Sequence, residues 1–223
     1  MTRIKLCGIT NLADMTAAVH AGADYIGFIT FHVSPRRVSY DTVKTLMELL
    51  RGLDVERVPQ CIGVFVEPDP TEVERFVVEC KLQGAQIHRA SAEVYAEIQR
   101  RLHGVCYPVI QPRTVQEALD ALPTNALPAP PWIPHLLMDT YHKELAGGTG
   151  QTGNMEIARA LQERLPRFML AGGLTPENVG EVVRTVRPWA VDVSSGIEAA
   201  PGKKDHTKMA AFVAAVHTAD ATL

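Results

Sequence analysis

The chain has 223 residues, 46% apolar and 21% charged, with a formal net charge of −3. Those proportions supply a large core, and with no clustered basic stripe they argue against nucleic acid as a main partner. Polar residues recur from Thr2 onward and no apolar stretch approaches the roughly 20 residues that span a bilayer, so neither a signal region nor a membrane partner is expected and the cytoplasm is the expected location. Cys7, Cys61, Cys80 and Cys106 are widely spaced, without a Cys-x-x-Cys pair or a His cluster at zinc spacing, so four reduced thiols and no metal are expected.

Short β-rich apolar runs alternate with longer helix-period segments, the pattern of repeated βα units around a parallel sheet. The predicted strands are Arg3 to Cys7, Asp24 to Thr30, Gln60 to Val66, Ala85 to Ile87, Val105 to Gln111, His135 to Asp139, Arg167 to Ala171 and Ala190 to Val193. Eight such units close a barrel, which predicts an α/β fold, a (β/α)8 TIM barrel with residues 1–223 in one domain. The first helix is predicted to start at an Asn11 cap, with Asp14 in its acidic first turn, and to stop at Gly22. The seventh carries Thr175 as cap, Pro176 at the first helical position and Glu177 behind it. The proline-rich stretch at about 122–134 suits neither helix nor central strand and reads as a surface excursion.

In such a barrel the chemistry gathers at the carboxyl ends of the strands. Cys7 ends the first strand just before Gly8, and a thiol held there suits a general base, whereas a cysteine elsewhere is more often a small buried hydrophobe. Asp139 ends the sixth strand; capping the next loop or pairing with Lys143 are its structural alternatives. Gly147 to Gly150 downstream suits a mobile loop or a plain surface loop. Gly172-Gly173 and Ser194-Ser195-Gly196 follow the seventh and eighth strands, where backbone N–H groups commonly cradle phosphate. Lys203 and Lys204 read equally well as a solvated loop. Arg36 or Arg37 offers a fork for a carboxylate, and His88 ends the fourth strand.

Together, Lys5-Leu6-Cys7-Gly8-Ile9-Thr10, Ser34-Pro35-Arg36, Gly172-Gly173 and Asp192-Val193-Ser194-Ser195-Gly196 resemble the phosphoribosylanthranilate isomerase family of tryptophan biosynthesis, over nearly the whole chain. The resemblance implies an Amadori rearrangement of N-(5-phosphoribosyl)anthranilate, without metal or organic cofactor, in a monomer or homodimer. It makes Asp139 the general acid that opens the furanose ring and Cys7 the base at C2′. The family's Ser-x-Arg pattern selects Arg36 to hold the anthranilate carboxylate, Asp192 and His88 match further substrate-binding positions, and Gly172, Gly173, Ser194, Ser195 and Gly196 match the phosphate turns.

Three stretches depart from the family's pattern. Gln86-Ile87-His88 is followed by Arg89 where a glycine is usual, which predicts another path for that loop. The segment Gly147 to Met155 lacks two aromatics, and the second strand ends Thr30-Phe31-His32-Val33. Relatives serving histidine biosynthesis resemble a barrel with aspartate at the end of the first strand, so Cys7 favours the tryptophan reaction. The rival from outside enzymes is a phosphate-ligand binding protein that has lost catalysis.

Overall fold

A computed structural model describes residues 1–122, 128–140 and 150–223. Eight parallel strands, β1 (Arg3–Cys7), β2 (Tyr25–Ile29), β3 (Gln60–Val66), β4 (Gly84–His88), β5 (Cys106–Ile110), β6 (Leu136–Asp139), β7 (Phe168–Ala171) and β8 (Ala190–Val193), pair in chain order and close through β8 onto β1. The predicted strands are all present, with ends shifted by a residue or so. Around them run α1 (Leu12–Ala21), α2 (Tyr40–Arg51), α3 (Pro70–Glu79), α4 (Ala92–Arg101), α5 (Val115–Asp120), α6 (Gly150–Gln162), α7 (Val179–Val186) and α8 (His206–Asp220). A short antiparallel hairpin, β9 (Glu198–Ala200) with β10 (Lys203–Lys204), follows β8.

Strand alternation divides the core into two layers. Ile4 and Leu6 of β1 face outward into the apolar layer between sheet and helices, with Met15, Val19, Phe212 and Val216. Inside the barrel, Tyr25, Ile62, Tyr107, Leu137, Met169 and Ala190 form a second apolar cluster. Each fully buried side chain of this size contributes about 1.5–3 kcal/mol, so closure rests on many modest terms. Pro128 to Pro134 carries neither helix nor strand, as its prolines require, yet it tucks Ile133 wholly out of solvent, and Trp132 O accepts from Tyr25 Oη at 2.7 Å.

Helix α1 starts and stops as predicted: Asn11 Oδ1 accepts from Asp14 N at 2.9 Å, and Gly22 takes the left-handed conformation at φ 90°. Helix α7 begins later than predicted, at Val179 rather than Pro176. Asn178 is the reason: its Oδ1 accepts from Thr175 N at 2.8 Å and its Nδ2 donates to Gly173 O at 2.9 Å, tying residues 175–178 into a turn ahead of the helix. No helix among the described residues is long and apolar enough to cross a membrane.

Candidate active site

Lys5 and Cys7 alternate with Ile4 and Leu6, so both face the barrel interior. The Lys5 side chain is wholly buried, and its ammonium donates to Asp192 Oδ2 at 2.8 Å and Gln86 Oε1 at 2.9 Å. A buried ammonium without such partners costs several kcal/mol. Burial alone would lower Lys5; the Asp192 charge, aided by Cys7 and Tyr107, outweighs it and keeps the amine protonated. Burial pushes the Asp192 carboxyl up, with Lys5 acting against it, and Asp192 Oδ1 is buried without a partner among the described residues.

That network also sets the state of His88. Lysine only donates, so the Gln86 atom facing it is the carbonyl oxygen, which also accepts from Tyr107 Oη at 3.0 Å. The Gln86 amide nitrogen therefore points at His88 Nε2, 2.8 Å away, and donates to it. His88 is thus neutral with its proton on Nδ1. Burial, followed by the charges of Lys5 and Arg89, lowers it to about 4, in keeping with that state.

Cys7 is 5% exposed. Burial pushes its thiol up; Lys5 and Lys204 pull it down while Asp192 opposes them. Beside it Gly8 has φ 76°, a left-handed conformation, and a Cβ built there would come within 2.9 Å of both Arg36 Cδ and Ser194 Oγ. The loops after β2 and β8 therefore converge on the end of β1.

Arg36 grips Glu198 with two bonds, Nε to Oε1 and Nη2 to Oε2, both 2.7 Å. Glu198 lies on β9, and its Oε1 also accepts from Lys204 Nζ at 3.1 Å, which donates to Ser194 O at 2.9 Å. Lys204 is buried, so the solvated-loop reading fails for it. Alternation along β10 sends Lys203 outward and Lys204 inward, and the carboxylate opposite compensates the charge. Arg36 thus has a protein carboxylate as partner, one that local sequence did not reveal.

Gly172 and Gly173 adopt φ 97° and 64°, and among the described residues nothing lies within 4 Å of a Cβ built on Gly173. Gly196 differs: its Cβ would fall 1.9 Å from Leu174 O, so the turns after β7 and β8 are in backbone contact. Ser195 opens a single 3-10 turn, Ser195–Ile197, and Ser194 Oγ is buried without a partner among the described residues.

Asp139, at the end of β6, accepts from Gln111 Nε2 through Oδ2 at 3.0 Å and contributes to the field at Asp192. Lys143 and Gly147 to Thr149 lie outside the described residues, as do the side chains of Gly150 to Asn154. Arg89 keeps the left-handed backbone open to glycine, φ 51°, so the expected rerouting is not needed there; its side chain turns over Phe31, 5.5 Å from the ring centroid, and pairs with Glu67 at 3.4 Å. Lys5, Gln86, Tyr107, Gln111 and Glu198 were missed from sequence. For Lys5 and Gln86 a signal existed, a polar residue two positions from Cys7 and His88 on the same strand face.

Cys7, His88 and Asp139 end strands of one closed barrel and Asp192 stands one residue before the end of another, beside two glycine turns after β7 and β8, so the molecule is a (β/α)8 barrel whose thiol, carboxylates and neutral histidine gather at its carboxyl-terminal face, where enzymes of this fold carry their chemistry. Among the described residues no group of three His, Cys, Asp or Glu is arranged to hold a metal. The model of the N-(5′-phosphoribosyl)anthranilate (PRA) isomerase family matches residues 4–215. N-(5′-phosphoribosyl)anthranilate isomerase of Chlorobaculum parvum is 38% identical over 226 residues, covering 100% of this chain and 98% of the relative. Phosphoribosylanthranilate isomerase of Thermotoga maritima superposes with a TM-score of 0.82 at 31% identity, over 98% of this chain and 100% of that one. A phosphoribosylanthranilate isomerase in complex with reduced 1-(o-carboxyphenylamino)-1-deoxyribulose 5-phosphate gives 0.79 at 29% identity, over 98% and 100%. The chain belongs to the N-(5′-phosphoribosyl)anthranilate isomerase family.

Proposed function

We propose that this chain isomerises N-(5′-phosphoribosyl)anthranilate to 1-(2-carboxyphenylamino)-1-deoxyribulose 5-phosphate by general acid–base catalysis, with Cys7 and Asp139 as the working pair. Asp139 protonates the furanose ring oxygen, the C1′–O bond breaks and the anthranilate nitrogen supplies electrons to form a Schiff base. Cys7, in its thiolate form, then takes the C2′ proton and becomes the thiol, giving an enolamine that tautomerises to the ketone. Arg36 receives the ring carboxylate, and His88 and Asp192 contact the ribose portion. Phosphate is held by backbone N–H groups of the turns holding Gly172, Gly173, Ser194, Ser195 and Gly196.

The observation that carries this reading is the placement of Cys7 and Asp139 at the carboxyl ends of β1 and β6 of the same closed barrel, with Lys5–Asp192 buried between strands on the same interior. An acid and a base on separate strands suit a reaction in which one group gives a proton and another removes one. The test is steady-state turnover of freshly generated phosphoribosylanthranilate, followed by loss of its fluorescence, for the wild type, Cys7→Ala and Asp139→Asn. Both variants are expected to lose at least about 100-fold in kcat, the usual range for a general acid or base. A folded wild type without turnover overturns the isomerase reading, and an active Cys7→Ala removes the thiol from it.

A further inference from the structure

We infer that Glu198 is a positioning residue for the substrate's carboxylate: it clamps one edge of the Arg36 guanidinium and thereby aims the other into the site. This rests on the reading that Arg36 receives the ring carboxylate. The Glu198 side chain is 6% exposed and saturated with donors, taking Arg36 Nε, Lys204 Nζ at 3.1 Å and Gly202 N at 3.3 Å on Oε1, and Arg36 Nη2 on Oε2. A carboxylate so held is a fixed platform rather than a gate.

The hairpin supports the loop as well as the side chain. A Cβ on Gly202 would lie 2.5 Å from Pro35 O, so the β9–β10 turn presses directly on the backbone before Arg36. Arg36 crosses Gly8, the neighbour of Cys7, and its Nη1 has no hydrogen-bond partner among the described residues. Two cations, Arg36 and Lys204, face the one carboxylate of Glu198, which leaves positive charge for an incoming anion. Without the clamp, a long loop arginine gains rotameric freedom and meets the ligand less often in the forked geometry.

The experiment compares two probes, the reduced product analogue and its counterpart with aniline replacing anthranilate, by calorimetric titration of the wild type, Arg36→Met, Glu198→Gln and Glu198→Asp. The wild type is expected to favour the carboxylated probe by roughly 10- to 100-fold, the worth of a charge-assisted pair. Arg36→Met abolishes that preference. Glu198→Gln lowers it about tenfold with affinity for the aniline probe within about twofold, and raises KM for phosphoribosylanthranilate far more than it lowers kcat. Glu198→Asp, which keeps the buried charge and withdraws it by one methylene, moves the preference the same way and serves if the glutamine variant does not fold. An unchanged or increased preference in a folded Glu198 variant, with Arg36→Met still abolishing it, overturns the clamp alone. A preference surviving in Arg36→Met overturns the carboxylate reading of Arg36 and the clamp with it.

Discussion

Gly27 lies flat against Cys7: a Cβ built on Gly27 would fall 2.5 Å from Cys7 Sγ and 3.2 Å from its Cα. The two residues are register partners in the β1–β2 ladder, so neither can slide away without breaking strand pairing. Glycine is thus required here for space rather than for backbone conformation.

Gly27→Ala is therefore expected to destabilise the fold by about 1–3 kcal/mol, the usual cost of overpacking, and to cut kcat at least tenfold by displacing the sulfur. Urea denaturation and turnover of phosphoribosylanthranilate check both. Normal kcat in a folded variant would show that the sulfur's position is not critical.

Removing Lys5 leaves the Asp192 carboxylate buried without its cation. Lys5→Met is expected to lose about 3–5 kcal/mol at pH 7. Lys5 is raised in the fold, so its pairing contributes fully below its unfolded value of ~10.4 and fades only as pH rises through the higher folded value. In the variant, protonating the isolated Asp192 relieves the penalty, so the gap to wild type narrows from pH 7 to pH 5. Paired denaturation curves at the two pH values test this; a gap that widens toward acid contradicts it.

His88 falls to about 4 in the fold. The unfolded chain, with a histidine near ~6.5, binds the proton first as pH drops, so stability is lost between about pH 6.5 and 4, by at most about 3 kcal/mol. Nitrogen-15 spectra of the imidazole are expected to show the Nδ1–H tautomer and no titration above pH 5. A midpoint near 6.5 would mean that the Gln86 amide does not hold Nε2.

Cys7 is raised by burial, so its reaction with iodoacetamide is expected to be slow at pH 7 and to climb through and beyond ~8.5, the ordinary thiol value, with protection by the reduced product analogue. Peptide mass spectrometry across pH 6.5–10 reads this site by site. Cys61 and Cys106, both pushed up to about 12 by burial, should stay unmodified while the fold is intact. A rate plateau for Cys7 below pH 8 would show a thiolate already formed in the free protein.

Much of this molecule was legible in one dimension because its signals are local. Apolar runs such as Leu136–Asp139 and Ala190–Val193 mark strands, Asn11 and Gly22 punctuate α1, and Cys7, Asp139 and His88 are polar residues closing those runs. The start of α7 was displaced by a competing local bond from Asn178, whose side chain satisfies backbone groups at both Thr175 and Gly173. Lys204 stayed undecided between the site and a solvated loop because a pair of lysines looks solvated until the strand's alternation and an opposing carboxylate are known.

By itself the sequence determined the eight βα units, the polar residues at strand ends and the two glycine turns, since each depends on propensity, periodicity or backbone freedom within a few residues. Only the tertiary structure decided which polar groups meet. Lys5 and Asp192 are 187 positions apart and Arg36 and Glu198 are 162, yet closure of β8 onto β1 places each pair within 2.8 Å. A charge removed from water takes whatever opposite charge the closed barrel brings to it, and that choice is a property of the closure rather than of any stretch of chain.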